Sequence, residues 1–206
     1  MKSLVNGFLF IFALLIKNET MDIKNIIRIS FEGAILMPDN GKNKGAIHAN
    51  RSRNFVEKLR KNILNEYKDD DTIRAFSKYN KANKKEFGLN ELLYDILVCK
   101  TDKVQSGRRK KSMTFVTKSL WQIESEFSKN PVQAVYDFNK LVIGASENKL
   151  FIAPNIEYYN DFLNPLSKLA NLCNSKTYIA FIPHPKDWTK TLNLNEKICC
   201  FEFDEV

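Results

Sequence analysis

The fold of this chain is decided by the segment Trp121-Gln122-Ile123-Glu124-Ser125-Glu126-Phe127. Apolar and polar residues alternate in it, which is typical of a β-strand whose side chains point alternately to its two faces. Gln122, Glu124 and Glu126 therefore share one face, and Ile123 lies on the other. Two carboxylates on one face repel each other unless water or a cation separates them. The pattern indicates either a solvated sheet face or half of a divalent-metal site.

Downstream of this strand the chain alternates between helix and strand. Asn130 and Pro131 provide a helix cap and a first helical residue, and Gly144 ends the helix. The pattern then predicts a strand at 149–153, a helix at 159–172 and strands at 177–182 and 198–203. This order predicts an α/β fold with a mixed central sheet flanked by helices.

Upstream, apolar residues at helical spacing predict a helix from Asn50 or Ser52 to about Tyr67. Residues 24–37 fit either a short helix or a strand. Strands are predicted at 72–76, at 92–99 and from 113 to 127, with loops at 78–85 and 101–111.

Size and composition predict one α/β domain over residues 21–206. The chain has 206 residues and a formal net charge of +8, which favours a polyanionic partner such as nucleic acid. Its four cysteines form no C-x-x-C pair, so we expect reduced thiols and a cytoplasmic location.

The first 20 residues form a hydrophobic N-terminal segment, with a mostly apolar run from Leu4 to Ile16. Three interpretations compete: a mis-assigned start ahead of Met21, a membrane anchor or signal, and a buried helix. The first is favoured because nothing downstream requires an oxidising compartment. A membrane partner is accordingly disfavoured.

Candidate chemistry comes from acidic residues that interrupt apolar strands. Asp95 lies in the strand at 92–99, and a hairpin would place it beside Glu124 and Glu126. An ionised carboxylate in a buried strand requires compensation. Carboxylate oxygens are ligands that Mg²⁺ or Mn²⁺ accepts, and such an ion can activate water against a phosphate ester.

Tyr94-Asp95-Ile96 followed by Ile123-Glu124-Ser125-Glu126 resembles the core of the PD-(D/E)XK nuclease superfamily, which includes many restriction endonucleases. In that family an Asp on one strand pairs with a Glu-x-Lys on the next, and a helix follows. The resemblance implies a restriction-endonuclease-like fold over roughly residues 50–183. It implies that Asp95 and Glu124 are the metal ligands.

This sequence departs from the family at Glu126, which stands where Lys is usual. Glu126 is then a second ligand, a water-orienting base or neither. Some members carry the catalytic Lys on the following helix, which makes Lys140 a candidate; the other interpretation is a surface pair of Lys140 with Asp137. The family often has a Glu on an early helix; Glu57 and Glu66 are the candidates, and Glu57 is chosen because its neighbours are apolar. Glu91, four residues before Asp95, is another candidate acidic neighbour.

Arg108, Arg109, Lys110 and Lys111 lie in the predicted hairpin loop. They would flank the site and contact DNA phosphates, or they serve solubility. The turn Pro183-His184-Pro185-Lys186-Asp187-Trp188 carries a histidine that either transfers protons or only packs in the turn.

The leading hypothesis is a Mg²⁺-dependent endonuclease that hydrolyses phosphodiester bonds in DNA, in a restriction or defence system. Asp95 and Glu124 would hold the metal, and Glu126 or Lys140 would position the attacking water. Many such nucleases work as homodimers. The second hypothesis is a catalytically inactive nucleic-acid-binding or protein-interaction module on the same fold.

Overall fold

A computed structural model describes residues 21–38, 43–108, 110–188 and 197–204. Within these residues the chain is an α/β fold with one six-stranded mixed sheet, as the alternation of elements predicts. The five helices are α1 (Ile23–Ile35), α2 (Lys44–Glu66), α3 (Lys84–Phe87), α4 (Pro131–Ile143) and α5 (Asn160–Ala170). The strands are β1 (Ile73–Ser77), β2 (Ile96–Gln105), β3 (Ser112–Ser125), β4 (Asn148–Asn155), β5 (Lys176–Pro183) and β6 (Cys199–Phe203).

The strands lie side by side in the order of the chain, β1 to β6. The pairs β1–β2, β2–β3 and β5–β6 are antiparallel, whereas β3–β4 and β4–β5 are parallel. Strands β1, β3, β4 and β5 therefore run in one direction. Their carboxyl ends meet at one edge of the sheet, together with the amino ends of β2 and β6. In open α/β sheets this is the edge at which ligands usually bind.

Two apolar layers cover the sheet. Helices α1 and α2 pack on one face, where Phe31 and Leu59 contact a layer that includes Ile123. Helices α4 and α5 pack on the other face, where Phe138 joins a layer that includes Phe151. Because alternate strand residues feed the two layers, the even-numbered Gln122 and Glu124 face α4 and the odd-numbered Ile123 faces α2.

Local signals explain where the helices begin. Asp22 caps α1 and Asn43 caps α2, each accepting a backbone N–H with its side chain. Asn130 caps α4 ahead of Pro131, as predicted, and α4 ends before Gly144. Residues 23–35 are helical because their buried residues recur at helical spacing: Ile23, Ile26, Ile27, Ser30, Phe31 and Ala34.

Some predicted boundaries are wrong. Helix α2 begins at Lys44, ahead of Asn50, with Asn43 as its cap. Its first two turns contain no buried residue, so no apolar stripe marked them in the sequence. Strand β2 begins at Ile96 and runs to Gln105, through residues predicted as loop. These loop residues form a two-stranded ribbon with 112–116, and the ribbon extends beyond the pairing of β1, which ends at Lys100.

Val104, Met113 and Phe115 are exposed on this ribbon. Cross-strand pairing maintains it although neither face is buried by a helix layer.

Among the described residues, no helix is long and apolar enough to cross a membrane. The interpretation of residues 1–20 lies outside the described residues.

Candidate functional site

A group of charged side chains lies at the sheet edge where β2 begins and β3 ends. Asp95 immediately precedes β2, and Glu124 is the penultimate residue of β3. Ile96 pairs with Ile123, so the antiparallel register continues to Asp95 opposite Glu124. The predicted juxtaposition of these two carboxylates is present. The prediction that Asp95 lies inside the strand is wrong, because β2 starts one residue later.

Asp95 is held by the end of β3. Its Oδ2 accepts a hydrogen bond from the backbone N–H of Ser125 at 2.9 Å and another from the Ser125 hydroxyl at 2.6 Å. These two donors fix the orientation of the Asp95 carboxylate. Sequence reasoning misses Ser125; a hydroxyl residue between the two glutamates was the only signal.

Glu124 is the most deeply buried carboxylate of the site, with 2% of the residue exposed. Its Oε2 lies 3.2 Å from the Lys140 ammonium nitrogen. Its Oε1 is buried and has no hydrogen-bond partner among the described residues. Burial and the nearby Asp95 raise the pKa of Glu124 to about 8, although Lys140 opposes this shift. A buried carboxyl with a raised pKa is either protonated and neutral, or ionised beside positive charge in addition to that of Lys140.

Lys140 on α4 connects the acidic residues. Its Nζ lies 2.9 Å from Asp137 Oδ1 as well as 3.2 Å from Glu124 Oε2. Helix α4 begins soon after β3 ends, and Asp137 and Lys140 share one helix face. Burial lowers the pKa of Lys140, but Asp137 and Glu124 together raise it above its ordinary value. The predicted pair of Lys140 with Asp137 is therefore present, and Lys140 contacts Glu124 as well.

Glu126 lies just beyond the last residue of β3. Its Oε1 accepts the backbone N–H of Ser128. Burial raises the pKa of Glu126; the Ser128 N–H opposes the shift, and the adjacent Asp137 carboxyl adds to it. Glu126 is thus a half-buried carboxylate with a stronger tendency to accept a proton than an exposed glutamate.

Glu57 on α2 lies at the same sheet edge, next to the end of β1. Its carboxylate accepts a hydrogen bond from the Ser77 hydroxyl at the end of β1 and pairs with Arg60 at 3.1 Å. Ser77 pairs with Ile96, next to Asp95 in the chain. Glu57 therefore borders the site without joining the group around Lys140.

The basic hairpin lies away from this group. Arg108, Lys110 and Lys111 follow the far end of β2, whereas Asp95 precedes its first residue. At about 3.3 Å per residue, the ten residues of β2 separate them by about 33 Å. The expectation that this loop flanks the acidic residues is therefore wrong, because the hairpin turns at the opposite end of the strands. Arg109 lies outside the described residues.

A divalent cation would find hard oxygen donors here, but these do not form a ready-made cage. Across the described ranges, no three His, Cys, Asp or Glu side chains converge closely enough to hold a metal ion. Asp95 is turned toward Ser125, and the Lys140 ammonium occupies the space between Glu124 and Asp137. Glu124 Oε1 is the buried oxygen of this group that has no hydrogen-bond partner among the described residues, and a carboxylate oxygen is a donor that Mg²⁺ accepts.

Comparison with protein-family models, with curated proteins and with solved structures finds no match for this chain.

Proposed function

We propose that this protein hydrolyses phosphodiester bonds in DNA with the help of Mg²⁺ or Mn²⁺, as a nuclease of restriction-endonuclease-like fold. One observation carries the proposal: Glu124 is a buried carboxylate near Asp95, with one oxygen on Lys140 and the other without a partner among the described residues. A protein retains such an arrangement at a cost in stability, which is typical of a functional site. The order of Asp95, Glu-x-Glu and helix-borne Lys140 also fits the superfamily resemblance.

Asp95 and Glu124 would hold the cation, because carboxylate oxygens are the ligands that Mg²⁺ prefers. When bound, the ion would lower the pKa of a coordinated water and stabilise negative charge on a phosphate oxygen. Ser125 keeps Asp95 oriented for this role through its two hydrogen bonds.

Lys140 and Glu126 act on the water and the phosphate. The oxygen of water bonds to phosphorus, and the bond from phosphorus to the leaving sugar oxygen breaks. Glu126, with its raised pKa, accepts the proton that the attacking water releases, and the leaving oxygen takes a proton from solvent. The Lys140 ammonium, which contacts Glu124, stabilises charge on the phosphate oxygens.

The test is cleavage of supercoiled DNA by the purified full chain, with and without Mg²⁺. We expect metal-dependent nicking, and we expect Asp95→Ala and Glu124→Ala each to reduce it by at least about 100-fold because each removes a metal ligand. Glu147→Ala, which removes an exposed partner of Lys118, is the matched control and should cleave normally. Normal cleavage by both site variants, with unchanged melting temperatures, would contradict the proposal.

One observation favours the second candidate, an inactive nucleic-acid-binding module. The Lys140 ammonium already contacts Glu124 and Asp137, so it partly compensates their charge without a metal. This candidate predicts DNA binding without cleavage and no change in melting temperature with Mg²⁺ or Mn²⁺. The nuclease instead predicts stabilisation of about 2.7 kcal/mol when the metal is at about 100 times its Kd.

A further inference from the structure

A second charged cluster lies at the same sheet edge, on the α2 side of the acidic site. It consists of Lys129, which follows β3, of His184 and Lys186, which follow β5, and of His48 on α2. The rings of His48 and His184 stand perpendicular with centroids 6.0 Å apart. Lys186 lies near enough to Lys129 for its positive charge to lower the pKa of Lys129. Three distant parts of the chain thus bring their cationic or ionisable groups together.

Buried contacts hold the backbone around this cluster in place. Trp188 donates a hydrogen bond from Nε1 to the Pro183 carbonyl oxygen at 2.6 Å and closes the turn that carries His184 and Lys186. Its buried ring packs edge-on against Phe127, two residues before Lys129, with centroids 6.4 Å apart. Arg51 on α2 donates to the Pro185 carbonyl oxygen at 2.8 Å. Buried aromatic packing therefore anchors the backbone that carries these cations, while the Lys129 and Lys186 side chains are exposed.

The cluster carries more positive than negative charge. Asp187 is its acidic neighbour, and in the part of the chain that the structure describes neither Lys129 nor Lys186 forms an ion pair. His184 accepts the Lys186 backbone N–H at its Nδ1, at 3.1 Å, so the neutral ring has its proton on Nε2 and can donate it. Two ammonium groups held together are unfavourable unless an anion lies between them.

We propose that Lys129, Lys186 and His184 form a phosphate-binding subsite for a nucleic-acid strand whose adjacent phosphodiester lies at Asp95 and Glu124. This inference rests on the proposed function and names the part of the protein that holds the substrate. Lys129 is three residues beyond Glu126 in the chain, so a nucleic-acid strand bound at the acidic site would continue past Lys129. Ammonium and imidazole N–H groups form charge-assisted hydrogen bonds to phosphate oxygens, which position a strand without reading its sequence.

The experiment measures binding of a short fluorescent single-stranded DNA by the full chain in EDTA, where no cleavage interferes. The test variant is Lys129→Ala/Lys186→Ala, and both positions are exposed, so the fold should survive. The control is Lys110→Ala/Lys111→Ala, which removes the same charge at the hairpin. We expect the test variant to bind about 10-fold more weakly and the slope of log K against log salt to become shallower by about 1.4, with a smaller change in the control.

The subsite would be overturned if the test variant bound the DNA as tightly as wild type, or if both double variants lost the same affinity. A wild-type chain that does not bind the DNA would also overturn it. The same DNA with and without a 5′-phosphate distinguishes a terminal phosphate from a backbone phosphate as the group bound. Cleavage assays separate this proposal from the previous one. If the wild type never cleaves DNA but the test variant binds it more weakly than the control does, the subsite is supported and the nuclease is refuted. If the wild type cleaves DNA with Mg²⁺ and the test variant binds DNA as tightly as wild type, the nuclease is supported and the subsite is refuted.

Discussion

Replacement of Glu124 by Gln should stabilise the metal-free protein, and the gain should increase with pH. Glu124 is buried, and its pKa is about 8 in the folded chain against an ordinary value of 4.5. Because the folded state binds this proton more tightly than the unfolded chain does, the stability contributed by the neutral acid is complete below about pH 4.5. It is lost progressively as the pH rises through about 8. Gln has nearly the same shape as the neutral acid and cannot ionise.

The expected size of the effect follows from this difference in pKa. At about 1.4 kcal/mol per pH unit, ionisation of Glu124 in the unfolded chain, while the folded protein keeps its proton, lowers the stability of the wild type by about 3 kcal/mol at pH 7. Urea unfolding in EDTA should therefore show Glu124→Gln and wild type nearly equal at about pH 4.5. The variant should be more stable by about 3 kcal/mol at pH 7. Because the slope m should not change, this gain should appear as a higher urea midpoint.

Glu147→Gln is the matched control for this measurement. Glu147 pairs with Lys118 at the surface, and its replacement should change stability by less than about 1 kcal/mol at any of these pH values. A pH-independent difference between Glu124→Gln and wild type would refute the reasoning. A variant that is less stable than wild type at about pH 8 would do the same, because it would mean that the ion pair with Lys140 outweighs the burial of the carboxylate.

Two further substitutions test the surroundings of the site. Ser125→Ala should lower the free energy of unfolding by about 1 to 2 kcal/mol in urea, because Asp95 loses its hydroxyl donor; an unchanged midpoint would contradict that contact. Gly144→Ala should lower it by about 1 to 3 kcal/mol, because a β-carbon there would overlap Gln122 Oε1 and the Tyr94 hydroxyl. A melting temperature of Gly144→Ala equal to that of wild type would contradict this prediction, because it would mean that Gln122 and Tyr94 move aside without cost.

Much of the site could be predicted from short-range patterns. Period-two alternation places Glu124 and Glu126 on one face, and the Asn130-Pro131 signal starts α4 close enough to β3 for Lys140 to reach Glu124. The order of strands and helices likewise follows from apolar periodicity and turn residues.

Other features depend on distances that a pattern does not encode. The two open ends of a hairpin lie side by side, whereas its tip is separated from them by the full length of the strands. The distance of Lys110 and Lys111 from the acidic residues therefore depends on the lengths of β2 and β3. The cluster of His48, Lys129 and His184 joins segments far apart in the chain. Only tertiary packing around Trp188 brings them together.

The ribbon formed by 101–105 and 112–116 has a consequence for solution behaviour. It extends beyond both neighbouring strands, so its backbone edges and the exposed Val104, Met113 and Phe115 offer a template on which another copy could add a strand. The charged residues at its tip, Lys110 and Lys111 among them, then act as gatekeepers whose mutual repulsion keeps copies apart. Their neutralisation would be seen as turbidity in concentrated samples, while the acidic residues at the other end of the strands keep their contacts.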